Sequence, residues 1–138
     1  MPIVFPKSFF KKKYLNNSEF TFLNQKKTFQ DIDWNYLSYG KLWNYNLNYF
    51  NYLEESDLLK EDGLILINDY ILKSSNIKCG LDPYPTSLRI INWIKFISKN
   101  KIFDENIDLF IYNDLMALRK NLEFHLLGNH LLENAFSL

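Results

Sequence analysis

The chain is poor in the residues that most often carry chemistry or terminate elements. It has one cysteine, two histidines, four glycines and four prolines in 138 residues. A single cysteine cannot form an intrachain disulfide. With no partner base evident nearby, Cys79 reads as an ordinary thiol rather than a nucleophile. Charge surplus is also missing: 16 Lys and Arg balance 16 Asp and Glu, and the sequence pI is about 6.7. That argues against nucleic acid as the main partner, because phosphate binding needs a basic excess. The short basic runs Lys11-Lys12-Lys13 and Lys26-Lys27 are expected in solvated loops. The longest apolar run, Leu64 to Ile67, is far too short to span a bilayer, so no membrane partner is expected. The opening MPIVFPKSFFKKK has no signal-peptide apolar core, which leaves the cytoplasm as the default location.

What is abundant is aromatic. Phe, Trp and Tyr make up 17% of the chain, within a hydrophobic share of 47%, enough for one domain with a real core. Asn and Lys are plentiful while Ala and Gly are scarce. An AT-rich coding sequence produces such a skew, so individual asparagines are not read as functional by default.

The pattern along the chain predicts a mainly α protein preceded by a short β-hairpin. Residues 19–33 alternate Phe20 and Phe22 with Glu19 and Thr21, turn at Asn24-Gln25-Lys26-Lys27, and return over Thr28 to Ile32. From 41 to 138 the pattern is helical. In 42-LWNYNLNYFNYLEE-55, Trp43, Leu47 and Phe50 form one stripe, Tyr45, Tyr49 and Tyr52 a second, and Asn44, Asn48 and Asn51 a third. Such a helix can touch both a core and a polar ligand. A second helix is expected over 57–75, weakened by Gly63, and a loop over 76–85. The third, over 86–99, has the apolar stripe Ile90, Trp93, Ile94 and Ile97, with Arg89 and Asn92 sharing another face. The fourth, over 106–127, carries Ile111, Leu115, Leu118, Leu122 and Leu126. A last helix starts near Asn129 and is still amphipathic at Leu138. That ending fits either a docked terminal helix or the front part of a longer fold.

Three strings, 40-GKLWNYNLNYF-50, 83-PYPTSLRIINWIKF-96 and 122-LEFHLLGNHLLENA-135, resemble in order and spacing the N-terminal catalytic region of the heparinase II/III-like polysaccharide lyases. The resemblance runs from about the hairpin to the end of the chain. It implies a truncated (α/α) toroid of helical hairpins over residues 1–138, with the later toroid helices and a β-sandwich domain absent. It implies β-elimination on uronic-acid-containing polysaccharides, chemistry that works outside the cytoplasm in the periplasm or extracellular space. Removing a uronate C5 proton places charge on the adjacent carboxylate, so that carboxylate must first be hydrogen-bonded or neutralised. A base then takes the proton and an acid protonates the leaving oxygen.

Carried over by position, Asn129 matches the family's carboxylate-binding asparagine and His130 the histidine beside it. Gly128 suits a helix end and Asn129 the start of the next helix, where unpaired N–H groups favour an anion. Gly at a helix end and Asn at an N-cap are also what chain geometry alone prefers. His125 and Glu123 are expected to support this junction. The string HLLGNH lacks the spacing of a helical zinc pair, and neither a metal nor another cofactor is expected. Arg89, Tyr84 and Asn92, and more weakly Tyr45, Asn46 and Tyr49, are candidates for the substrate-binding wall. An arginine can grip a carboxylate or sulfate, and a tyrosine can stack on a sugar. The family's catalytic tyrosine and sandwich-domain histidine have no match here. The expectation is therefore a lyase fragment inactive alone, with acidic polysaccharide and a separately encoded C-terminal half as partners. The rival is a non-catalytic helical module that binds a protein or a glycan.

Overall fold

The structure, a computed structural model, describes residues 9–13 and 17–121. A three-stranded antiparallel sheet precedes four helices: β1 (Phe9–Lys13), β2 (Asn17–Phe22), β3 (Gln25–Phe29), α1 (Lys41–Tyr49), α2 (Lys60–Lys73), α3 (Pro83–Lys99) and α4 (Glu105–Lys120). Short 3₁₀ turns at Asn51–Glu54 and Ser74–Asn76 follow α1 and α2.

The expected hairpin is present but tighter and better supported than the pattern predicts. Its turn is Leu23-Asn24, not Asn24 to Lys27. Both residues have positive φ, 52° and 62°, as a two-residue hairpin turn requires to match strand twist. The return strand accordingly starts at Gln25, opposite Phe22. Lys11 to Lys13 and Lys26-Lys27 are in strands rather than loops. β1 and β3 are the edges of a β1-β2-β3 meander. Lysines on such edges discourage further strand pairing, while Phe10 and Phe29 on the same strands face inward. Phe10 and Phe20 are paired across β1 and β2, and with Phe22 and Phe29 they are buried.

That sheet face closes over the helices. Phe20 meets the Tyr52 ring edge-on at 5.2 Å, and Phe22 meets Trp43 at 5.0 Å. Trp43, Leu47 and Phe50 are fully buried, as their stripe predicts. The helix itself is shorter than its pattern. It stops at Phe50, a fully buried residue with φ 60°. A left-handed conformation at a bulky residue costs about 1–2 kcal/mol. Packing offsets it: Phe50 stacks on Trp34 (5.1 Å, 16°) and meets Trp93 and Tyr70 edge-on at 5.2 and 5.5 Å. Each such pair contributes about 0.5–1.5 kcal/mol beyond area burial.

The third helix begins three residues earlier than expected, with Pro83 in its first turn where the missing N–H costs nothing. Its buried arc also differs. Ile90 and Trp93 are buried, but Ile94 is 40% exposed, while Arg89 and Asn92 are buried. The helix is covered by α1 on one side and α4 on the other, which turns the polar pair inward. On α4, Ile107, Ile111 and Leu118 are buried, and its Asp104 cap accepts from the N–H groups of Asn106 and Ile107. α4 ends at Lys120. Residues 122–127 of the expected fourth helix, and the whole expected last helix, lie outside the described residues. Among the described residues no helix is long and apolar enough to cross a membrane.

Gly63, the weak point of α2 by propensity, has a packing reason. A Cβ there would sit 2.3 Å from Cζ of Phe96, a buried ring. Gly63→Ala is expected to destabilise by about 1–2 kcal/mol, the overpacking cost outweighing the helix-propensity gain. Urea unfolding checks this, and Phe96→Leu in the same chain should recover most of the loss.

Candidate functional site

The cleft of interest is where α1, the loop 77–82 and the first turns of α3 converge. Gly80 lets the loop reach α1: its φ is +69°, and a Cβ would lie 2.6 Å from Cγ of Asn48. Asn35 holds the same loop from the other side. Its amide donates to the Asn76 carbonyl at 2.9 Å, and its Oδ1 accepts from the N–H groups of Lys78 and Cys79 at 2.7 and 3.0 Å.

Two adjoining cavities open here, with Leu81 common to both. The first, about 340 Å³, is lined among others by Lys41, Asn44, Tyr45, Lys78, Cys79 and Asp82. Asp82 is the residue before α3, but its carboxylate makes no cap bond. It accepts instead from the Tyr45 hydroxyl and pairs with the Lys41 ammonium at 3.2 Å. Lys41 also lies over the Tyr45 ring, 5.2 Å from its centre. Hydrogen bonds to Tyr45 and Asp82 push Lys41 up to about 12. The bond from Tyr45, and then Lys41, hold Asp82 below the usual carboxylate range against partial burial. Burial, then the Asp82 bond, pushes Tyr45 up. At neutral pH the cluster therefore holds a cation, an anion and a protonated phenol. It is suited to binding polar groups, and it contains no group poised to take a proton.

The second cavity, about 250 Å³, lies between α3 and α4 and is lined among others by Pro83, Thr86, Arg89, Asp114, Leu118 and Asn121. Arg89 is 1% exposed. Its Nε and Nη2 donate to Asp114 Oδ2 at 3.2 and 2.6 Å, and its guanidinium lies 4.8 Å from the centre of the Tyr70 ring. Nη1 is buried with no hydrogen-bond partner among the described residues. Burial opposes the charge of Arg89, but Tyr70 and Asp114 outweigh it and raise its pKa.

The sequence-predicted wall residues divide between these places. Tyr45 lines the first cavity. Tyr49 lies behind it, 6.2 Å from the Tyr45 ring and edge-on to Tyr84 at 5.7 Å, so the three tyrosines form one aromatic row. Asn46 is 1% exposed and donates back to the Leu42 carbonyl at 2.8 Å. Asn92 is also buried. Its amide donates to the Tyr49 carbonyl at 2.8 Å and to Asn51 Oδ1 at 2.6 Å, bracing the end of α1. Asn129 and His130 lie outside the described residues, as do His125, Glu123 and Gly128. Among the described residues no group of three or more His, Cys, Asp or Glu is arranged to hold a metal.

Sequence reasoning missed Lys41, Lys78, Asp82 and Asp114. A signal existed for Asp114. It falls three residues after Ile111 and four before Leu118, a charge inside an apolar stripe, as Arg89 is on α3. Nothing local marks Lys41 or Lys78, whose relation to Asp82 depends on the loop closing onto α1.

No family model matches the chain, and neither a curated protein nor a solved structure matches it.

The buried tyrosines make a prediction about alkaline pH. Burial raises the pKa of Tyr49, Tyr52 and Tyr70 above the ordinary 10.0. Above that value the unfolded chain ionises while the folded chain stays protonated. Their contribution is thus fully present below pH 10.0 and is lost as pH rises beyond it. Urea midpoints should hold steady up to that pH and then fall. Tyr49→Phe should make the fall shallower, and an unchanged slope would contradict the assignment for Tyr49.

Proposed function

We propose that this chain is the substrate-binding front part of a heparinase II/III-like lyase. It binds an acidic polysaccharide and contributes one half of a β-elimination site within a truncated (α/α) toroid. One observation supports the reading: the first two of the three strings that carry the family resemblance pack against each other beside the cleft. The first string, on α1, meets the second, on α3, through Tyr49–Tyr84 and Asn92–Tyr49. The helix that leads toward the third is tied to the second by Arg89 and Asp114. The third string begins at Leu122, directly after Asn121 on the rim of the second cavity.

In this reading Asn129 and His130 bind the uronate carboxylate and assist proton transfer, and the rest of the lyase supplies the remaining acid and base. The described cleft is consistent with that division of labour. Tyr45 is held protonated and Asp82 is held a weak base, so the cleft orients sugar while the proton chemistry comes from elsewhere. The same feature favours the second reading, a glycan-binding module with no catalytic partner.

The test combines the chain with the sequence encoded immediately downstream, whether fused to it or as a second polypeptide, and follows unsaturated-uronate absorbance on a panel of acidic polysaccharides. Elimination should require both parts. Asn129→Ala and His130→Ala should each lower the rate by about 100-fold or more. Binding of acidic glycan with no elimination in any combination would select the module reading. No preference for acidic over neutral glycan would overturn both.

A further inference from the structure

A groove of about 510 Å³ lies between α2 and α4, outside the cleft. Two ridges flank it. Ile65, Asn68 and Leu72 run along α2, and Asn106, Leu109 and Asn113 along α4. Both sets have i, i+3, i+7 spacing, which keeps each on one face of its helix. Leu72 is 83% exposed, Leu109 60% and Ile65 52%, and the three asparagines are exposed as well. Half-buried Ile71 and Phe110 floor the space between the ridges. Neither ridge holds a charged residue, although five of the 14 residues of α2 and five of the 16 of α4 are charged. The charge-free face is therefore a property of these positions and not of the helices as a whole. The groove ends at Asn113, about 12 Å along α4 before Asn121.

We propose that this groove docks a second copy of the chain, forming a two-fold dimer in which α2 and α4 of each copy build a four-helix interface. A two-fold interface uses the same patch on both copies, so a patch with net charge repels itself and an uncharged one does not. The patch must also fit itself, and it has both a projecting and a receiving part. Leu72 and Leu109 project from the ridges, and the groove between the ridges receives them. The ridges alternate in opposite order, apolar–amide–apolar on α2 and amide–apolar–amide on α4. Set against each other, they seat Leu109 of one copy between Ile65 and Leu72 of the other. The asparagine amides keep water or one another as partners, as polar groups do around an apolar interface core. Ridges and floor together expose roughly 90 Å² per residue, about 700 Å² per copy, against ~800 Å² per partner in a specific interface. The groove shares no lining residue with either cavity of the cleft, so the dimer stands or falls independently of the acidic-glycan reading.

Sedimentation velocity on the full chain over roughly 1–100 μM tests the dimer. A species of twice the 16.6 kDa chain mass should grow with concentration. Leu72→Lys and Leu109→Lys, both at exposed positions, should each raise the dimer Kd by about 30-fold or more, because each change enters a two-fold interface twice. Ile94→Lys, at an exposed position on α3, should leave the dimer as it is. Circular dichroism and urea midpoints check that all three variants stay folded. A monomer at every concentration would overturn the dimer. A monomer whose urea midpoint falls with Leu72→Lys and Leu109→Lys would overturn it in favour of cover supplied from within the chain. A dimer that neither lysine weakens would refute the groove as its interface.

Discussion

Buried irregular backbone must find hydrogen-bond donors, and most of this structure follows from how that demand is met. Residues 30–40 and the break at Phe50 run through or beside an aromatic core, where an unpaired carbonyl costs about 1–3 kcal/mol. Asparagine amides supply the donors. Asn44 donates to the Trp34 and Tyr36 carbonyls at 2.8 and 3.0 Å, Asn48 to Trp34 at 3.2 Å, and Asn92 to Tyr49 at 2.8 Å. The amide stripe of α1 therefore faces inward. It fastens the Trp34 segment to the helix, which in turn places Trp34 against Phe50 and lets Trp34 Nε1 reach Asp69 on α2 at 2.8 Å.

The cleft is a consequence of the same fastening. Asn48 packs where Gly80 leaves no room for a side chain, and Asn35 grips the N–H groups of the following loop. With the loop so held, Asp82 arrives beside Tyr45 and Lys41 instead of capping its own helix. Arg89 and Asp114 join two otherwise apolar helix faces. A buried pair of this kind adds little net stability but strongly penalises any arrangement that separates its members. The pair thereby sets the register of α3 against α4, and so the shape of the second cavity.

Much of the fold was legible in the sequence for a simple reason. Helical periodicity and strand alternation are local, so α1 to α4 and the β2–β3 hairpin could be read from spacing. The errors came where long-range contacts decide. β1 looked like a basic loop because its lysines mask Phe10, which is inward only once β2 is beside it. Ile94 looked buried because its stripe is apolar, yet α4 meets α3 at Arg89 and α1 meets it at Asn92. The asparagines looked like compositional drift, and several turned out to be the donors that hold the core together. Of the cleft, Tyr45, Tyr84 and Arg89 were legible as polar groups in a conspicuous string, while Asp82, Lys41 and Lys78 were not.

Composition and periodicity are properties of the chain alone, and they suffice for a mainly helical, aromatic-cored domain with an N-terminal hairpin and zero net charge. Which polar residues face a cavity and which serve the backbone is settled by packing. Arg89, Asn92, Asn44 and Asp114 all sit at helical positions that permit either role. The choice depends on which carbonyl, carboxylate or ring the rest of the fold brings within hydrogen-bonding distance, and residues 25 or 43 positions apart meet only after packing.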